Sequence, residues 1–314
     1  MENTWRLKKP KFVTIVTAAL VAGLGFVWGL NGGLNEDHVA ATSQKHKKDT
    51  LVKADYALVN GLEMYYEIHG RRGRPLVLLH GGFSNIQTDF ADVLPALAKD
   101  RRVIAIEVQG HGHTADIDRP FTYEQLADDT VALLDQLNIE QADYYGYSLG
   151  GGVAMQAAIR HPQAVRKLVV ISSIYKADGF HPEVLGSISQ LTPTTFVGTP
   201  IEDAYKKIAP KPEQLGQVTV KVRDLLLAQN WSPESVRSIK APTFIAIGDS
   251  DNIRLEHATE MFGLLGGGVV GDFVGLPQSQ LAVFPATTHF GIPHNKEVTS
   301  AATKFLDHES QSAE

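Results

Sequence analysis

The sequence contains no cysteine among its 314 residues. This absence excludes a disulfide scaffold, a cysteine nucleophile and a metal site built on thiolates. Tryptophan and methionine are scarce, with three and four residues. Hydrophobic residues nevertheless make up 43% of the chain and charged residues 20%, which excludes intrinsic disorder and indicates an ordinary globular interior.

A surplus of basic residues is also missing from most of the chain. Residues 51–314 carry 22 Lys and Arg against 31 Asp and Glu. Such an acidic domain argues against nucleic-acid binding, and no nucleic-acid partner is expected. The sequence contains no P-loop, dinucleotide fingerprint, H-E-x-x-H or EF-hand pattern, and His111 and His113 form an isolated pair. We therefore expect no cofactor and no metal site.

The first fifty residues differ from the rest of the chain. Four basic residues between positions 6 and 11 precede an uncharged stretch whose apolar part is Phe12–Leu30. This pattern predicts either a cleaved signal peptide or a retained transmembrane helix that anchors the protein to a membrane. Residues 1–41 are predicted to be this targeting segment and residues 42–50 a polar linker. Both alternatives place the folded domain outside the cytoplasm, secreted or anchored.

The remaining chain alternates short apolar strands with helices. Helical patterns cover residues 122–137, 149–160 and 298–306. The alternation predicts an α/β fold with a mostly parallel sheet and helices on both faces. The strand-like runs are Ala54–Val59, Leu62–His69, Leu76–His80, Val103–Val108, Ala142–Tyr147, Leu168–Ser172, Phe244–Gly248 and Leu281–Phe284.

One interval breaks this alternation. Residues 174–230 contain five prolines and two helical patches, Glu202–Ile208 and Val218–Gln229. We interpret this interval as a small, mostly helical cap or lid inserted into a core formed by residues 51–173 and 231–314. A second irregularity is a Gly-rich stretch at residues 266–277, which predicts a long loop before the last strand.

The central motif is G-x-S-x-G, formed by Gly146-Tyr147-Ser148-Leu149-Gly150 between a strand and a helix. In this context the serine sits on a sharp turn, and glycines avoid the Cβ atoms that would collide there. The N–H groups at the start of the following helix favour developing negative charge. The motif therefore predicts Ser148 as a nucleophile.

With these motifs the chain resembles the α/β-hydrolase superfamily, in particular its serine-nucleophile, esterase-like members. His80-Gly81-Gly82 resembles the family's oxyanion loop, and Gln109-Gly110-His111-Gly112 resembles the turn after the next strand. The resemblance covers residues 51–306. It implies a mostly parallel eight-stranded sheet with a cap after the sixth strand, and the chain order nucleophile, acid, histidine.

The resemblance also implies the other catalytic residues. A serine hydroxyl needs a general base, and the base needs an orienting acid. The segment Ile247-Gly248-Asp249-Ser250-Asp251 resembles the family's acid turn. The usual spacing there selects Asp251, with Asp249 as the alternative. The base is expected after the last strand, at His289, with His294 as its competitor.

Two backbone N–H groups are expected to form the oxyanion hole. The residue after the nucleophile, Leu149, supplies one of them. By analogy with the family, Gly82 supplies the other, with Phe83 as its neighbour.

The expected function is therefore a serine hydrolase that cleaves a carboxylic ester, small or apolar, through an acyl-enzyme. A C–C bond hydrolase, a lactonase and a cofactor-free peroxidase use similar triads and stay open. Two non-enzymatic functions also stay open. The protein could bind a small apolar ligand without turnover, or its N-terminal segment could recruit the domain to a membrane surface or a partner. The expected partner is a small-molecule ester, and the sequence leaves the oligomeric state open.

Overall fold

The computed structural model describes residues 50–308 of the chain. Eight strands in this region form one sheet in the order β1-β2-β4-β3-β5-β6-β7-β8. The strands are β1 (Leu51–Val59), β2 (Leu62–His69), β3 (Pro75–Leu79), β4 (Arg102–Ile106), β5 (Ala142–Tyr147), β6 (Val165–Ile171), β7 (Thr243–Ser250) and β8 (Gln280–Thr288).

The sheet is mostly parallel, as predicted. Strands β3 to β8 pair in parallel, whereas β2 is antiparallel to both of its neighbours. The antiparallel β1–β2 pair turns at Asn60 and Gly61, and both residues have positive φ angles, 49° and 82°. This conformation is why an Asn-Gly pair favours the hairpin.

Helices pack on both faces of the sheet. One hydrophobic core contains the buried faces of α3 and α4, and the other contains those of α1, α2 and α11. The helices are α1 (Ile86–Phe90), α2 (Leu94–Leu97), α3 (Tyr123–Gln136), α4 (Leu149–Arg160), α5 (Pro182–Ser189), α6 (Pro200–Ile208), α7 (Leu215–Ala228), α8 (Pro233–Arg237), α9 (Leu255–Leu264), α10 (Gly271–Val274) and α11 (Lys296–Asp307). Short 3₁₀ helices occupy Pro162–Ala164, Ala177–Gly179, Pro212–Gln214 and Ile292–His294.

Helices α5, α6 and α7 lie between β6 and β7, within the interval that the sequence marked as irregular. Helix α7 packs against loops that follow the parallel strands. A Cβ atom on Gly110 would lie 2.9 Å from Val218, and one on Gly82 would lie 3.4 Å from Val222. The boundaries of a separate cap and core stay a prediction.

The prediction of a transmembrane helix and of a secreted protein is not supported. Within residues 50–308, no helix is long and apolar enough to cross a membrane. Helices α3 and α7 have 14 residues each, or about 21 Å against the roughly 30 Å of a bilayer core. The segment 12–30, the targeting segment 1–41 and the linker up to residue 49 lie outside the described residues. The placement outside the cytoplasm stays a prediction.

Candidate active site

Ser148 occupies a strained turn between β5 and α4, with φ 51° and ψ −117°. The two glycines of the motif have no room for side chains. A Cβ on Gly146 would lie 2.3 Å from the carbonyl oxygen of Gly150, and one on Gly150 would lie 2.1 Å from that of Leu79. These contacts are with backbone atoms, which cannot move aside, so glycine is required at both positions. The turn presents Ser148 Oγ beyond the carboxyl end of β5.

The structure brings Ser148, His289 and Asp251 into one hydrogen-bonded chain. His289 Nδ1 lies 2.8 Å from Asp251 Oδ1, and His289 Nε2 lies 3.1 Å from Ser148 Oγ. A carboxylate only accepts hydrogen bonds, so Nδ1 carries the proton and Nε2 accepts from the serine hydroxyl. This is the tautomer that a general base needs.

The two alternatives from the sequence lie elsewhere. Asp249 accepts hydrogen bonds from the N–H groups of Ala286, at 2.9 Å, and Thr287, at 3.2 Å. It therefore connects the end of β7 to β8. His294 Nδ1 lies 3.3 Å from Asp92 Oδ2. Asp251 and His289 are thus the residues that share a hydrogen-bonded chain with Ser148.

Asp251 is held by more than its histidine. Its Oδ2 accepts a hydrogen bond from Ser172 Oγ and one at 3.3 Å from the N–H of Gly248, while Oδ1 also accepts from the N–H of Ile253 at 3.2 Å. Burial disfavours the charged form, but His289 and these donors outweigh it and keep the pKa of Asp251 below its ordinary value. The carboxylate therefore stays ionised.

Tyr147, the second residue of the motif, holds the histidine from the other side. Its hydroxyl donates a 2.9 Å hydrogen bond to the carbonyl oxygen of His289, and the two rings lie 5.4 Å apart. Neither Tyr147 nor Ser172 was identified from the sequence. Tyr147 stands at a variable position of the motif, and Ser172 follows a strand that carries no recognised motif.

The two predicted oxyanion residues lie next to each other. A Cβ on Gly82 would be 3.7 Å from Leu149 Cδ1, and Leu149 is the first residue of α4. Phe83 has a φ of 60°, so the loop turns sharply after Gly82. The start of α4 and this loop therefore lie close together, next to the Ser148 turn.

Apolar side chains pack against this loop. Val222 from α7 and Leu149 face Gly82. The rings of Phe83 and Phe196 pack edge to face, 4.8 Å between centroids. Phe196 lies between α5 and α6 and is buried. Residues from the interval between β6 and β7 therefore pack on the Gly82–Phe83 loop.

The histidines of the two glycine turns have structural hydrogen bonds. His80 Nδ1 donates to the carbonyl oxygen of Gly81 at 2.7 Å, and its Nε2 accepts from the N–H of Val108 at 3.2 Å. Burial lowers the pKa of His80 to about 3 and that of His111 to about 4, so both rings are neutral. Among residues 50–308, no group of three or more His, Asp or Glu side chains could hold a metal ion.

Solved structures share this architecture. An enol-lactonase from Burkholderia xenovorans LB400 superimposes with a TM-score of 0.62 at 21% sequence identity, covering 81% of this chain and 100% of that one. A meta-cleavage product hydrolase from Pseudomonas fluorescens IP01 gives a TM-score of 0.60 at 20% identity, covering 82% and 98%. At these identities the likeness establishes the fold.

The family model for the α/β-hydrolase fold matches residues 74–217. This stretch includes both the His80-Gly81-Gly82 loop and the G-x-S-x-G turn. The chain has the α/β-hydrolase fold. The strand order and the triad geometry of this hydrolase fold agree with that assignment.

Among characterised relatives, the chain is 44% identical over 105 residues to a 2-hydroxymuconate semialdehyde hydrolase from Pseudomonas sp. (strain CF600). The match covers 32% of this α/β hydrolase and 37% of that protein. The chain spans between 29% and 47% of the length of such relatives. Their substrates therefore do not transfer to this chain directly.

Proposed function

We propose that the protein is a serine hydrolase that cleaves carboxylic esters with an apolar acyl group. The observation that carries the proposal is the continuous hydrogen-bonded chain from Ser148 Oγ through His289 to Asp251, at 3.1 and 2.8 Å. A neutral histidine in this tautomer activates the hydroxyl, and the buried carboxylate stabilises the imidazolium that forms.

In the proposed reaction, Ser148 Oγ attacks the ester carbonyl carbon while His289 Nε2 takes the hydroxyl proton. The carbonyl oxygen becomes an oxyanion, to which the N–H groups of Gly82 and Leu149 donate. The C–O bond to the leaving group then breaks, and His289 returns the proton to the alcohol. Water, activated by His289, repeats the sequence at the acyl-enzyme and releases the acid.

The walls of the site support an apolar acyl group. Val222 and Leu149 face Gly82, and Phe196 packs on Phe83, so the space beside the oxyanion loop is bordered by uncharged side chains. Burial of each substrate methylene there contributes about 0.8 kcal/mol. We propose that the helices between β6 and β7 act as a cap that sets the length of acyl chain accepted.

Labelling with a fluorophosphonate probe tests the proposal without a choice of substrate. We expect one adduct, on Ser148, and none in Ser148→Ala. Turnover of p-nitrophenyl esters of increasing acyl length then measures the preference. An absence of adduct on folded protein would contradict the proposal and favour a protein that binds ligand without turnover.

A second candidate comes from the names of the relatives: hydrolysis of a semialdehyde like 2-hydroxymuconate semialdehyde, or of a lactone. A muconate semialdehyde carries a carboxylate, for which Val222, Leu149 and Phe196 offer no charged partner. We therefore rank the ester first. Turnover numbers for an ester, a lactone and the semialdehyde, measured on the same preparation, separate the candidates.

A further inference from the structure

A buried carboxylate outside the triad grips the oxyanion loop. Asp89 belongs to α1 and is 4% exposed. Its Oδ2 accepts a 2.7 Å hydrogen bond from the N–H of Gly81 and a 2.5 Å hydrogen bond from Ser84 Oγ. The carboxylate therefore ties together the beginning of the loop and the residue that follows Phe83.

The next peptide group is held through its oxygen. The carbonyl oxygen of Gly81 accepts from His80 Nδ1 at 2.7 Å and lies 2.9 Å from Ser84 Oγ. The peptide between Gly81 and Gly82 is trans, so its C=O and N–H point in opposite directions. Fixing the Gly81 oxygen on one side thus directs the Gly82 N–H to the other.

The loop has little freedom to find this orientation by other means. A Cβ on Gly81 would lie 2.8 Å from the ring of Tyr147, so the chain passes tightly between that ring and Asp89. A Cβ on Gly82 would meet only apolar side-chain atoms, of Val222 at 3.4 Å and of Leu149 at 3.7 Å. The polar anchors at Gly81 are consequently the contacts that set the direction of the Gly82 N–H.

The carboxylate has an energetic cost. Burial raises the pKa of Asp89 above its ordinary value, although the hydrogen bonds from Ser84 and Gly81 oppose the increase. A raised pKa in the folded state means that the ionised form is less stable there than in the unfolded chain. A charge with such a cost, in contact with the loop beside the nucleophile, is typical of a functional site.

We propose that Asp89 is a positioning residue for the oxyanion hole. Its hydrogen bonds with Gly81 and Ser84 fix the Gly81–Gly82 peptide and so orient the N–H of Gly82. This inference rests on the proposed hydrolase function and deepens it. Because the oxyanion exists only in the transition state and the tetrahedral intermediate, Asp89 affects the chemical step and leaves substrate binding almost unchanged.

Two substitutions at Asp89 separate its acceptor from its charge. Asp89→Leu keeps the branching at Cγ and removes the acceptor, whereas Asp89→Asn keeps the volume and an acceptor oxygen and removes the charge. Loss of one oxyanion donor costs about 10²–10³ in kcat, so a misdirected donor is expected to cost about 10- to 100-fold. We expect this loss in kcat for Asp89→Leu, with KM within about threefold, and a smaller loss for Asp89→Asn.

The inhibition constant of a transition-state analogue would not change selectively if Asp89 had only a structural role. A trifluoromethyl ketone forms a tetrahedral oxyanion on the serine, so its inhibition constant should rise by the factor by which kcat/KM falls. Affinity for the product acid should stay constant. Ser84→Ala, which removes one of the two donors to Asp89, gives an intermediate loss if Asp89→Leu does not fold.

Asp92→Asn is the matched control, because Asp92 lies in the same segment and its carboxylate is about half exposed. It should retain wild-type kcat. If Asp89→Leu and Ser84→Ala keep wild-type kcat while Ser148→Ala is inactive, the role of Asp89 is overturned and the hydrolase function stands. If Ser148→Ala retains activity, the proposed function itself fails. Equal weakening of the ketone and the product acid would also overturn the role of Asp89.

Discussion

Ser172→Ala tests how the acid of the triad is held. Ser172 is buried directly after β6 and donates a hydrogen bond to Asp251 Oδ2. The substitution removes this bond without adding volume. The backbone conformation at the site, with φ at 47°, is nearly as strained for alanine as for serine. The change therefore isolates one charge-assisted hydrogen bond to the triad carboxylate.

The magnitude follows from the burial of both partners. A hydrogen bond to a charged group contributes about 1.5–3 kcal/mol to stability. For a domain of this size that corresponds to a fall in Tm of roughly 3–9 °C. If half of the energy is expressed while His289 carries the proton, kcat falls about 4- to 12-fold. KM should stay nearly constant, because Ser172 contacts the acid and not the substrate.

The effect on stability should depend on pH. The pKa of Asp251 lies below its ordinary value in the folded protein. A lowered pKa contributes stability above the unfolded value of about 3.9, and that stability is lost as pH falls through the folded pKa. Without Ser172 the pKa moves up, so the two proteins should differ by a constant amount near neutral pH and converge only as pH falls through the lowered pKa of Asp251 in the wild type.

Urea unfolding at pH values from 7 down to about 2 measures this difference, because the range must extend below the lowered pKa of Asp251. Ser173→Ala is the control, since it removes a buried hydroxyl one residue further along the chain. Its effect should not vary with pH. A difference between Ser172→Ala and wild type that stays constant across the range, or a kcat equal to that of wild type, would refute the reasoning.

Three further substitutions test the surroundings of the site. Gly150→Ala would place a Cβ 2.1 Å from the Leu79 carbonyl oxygen, so we expect little folded protein by circular dichroism. Gly82→Ala meets side chains at 3.4 Å or more, so it should fold with a Tm near wild type. Its methyl group should lower kcat/KM for long acyl esters more than for acetate. Lys221→Met leaves the buried Asp116 carboxylate without its 2.7 Å ion pair. The loss, about 3 kcal/mol in urea unfolding, should partly recover in the double variant with Asp116→Asn.

The position of Ser148 on a sharp turn between a strand and a helix could be predicted from the sequence because the requirements of that turn are local. At Gly146 and Gly150, backbone atoms of the turn or of the adjacent strand leave no room for a Cβ. A strand before the serine and a helix after it complete the pattern. The choice of Asp251 over Asp249 also depended on short spacing after a strand. Such features can be recognised in a single sequence because few residue types satisfy them.

The residues that hold the triad could not be predicted because they come from distant parts of the chain. Ser172 and Asp251 are 79 residues apart, and Tyr147 and His289 are 142 apart. Parallel pairing of β5, β6, β7 and β8 brings their carboxyl ends to one edge of the sheet. Asp89 is near Gly81 in sequence, but a buried aspartate on a five-residue helix has no recognisable pattern.

The residues that contact substrate could not be predicted from the sequence either, and helix α7 shows why. Val218, Val222 and Leu225 of α7 are all buried, and their spacing predicts only one apolar helix face. In the structure Val218 packs against the Gly110 turn, whereas Val222 faces Gly82 beside the nucleophile. Val218 therefore stabilises the packing of α7, whereas Val222, one helical turn later, contacts the loop that we propose borders the acyl group. Val222→Ala and Val218→Ala remove the same two methyl groups. Only the first should shift the preferred acyl length of ester substrates, while both should lower the free energy of unfolding by about 1–3 kcal/mol.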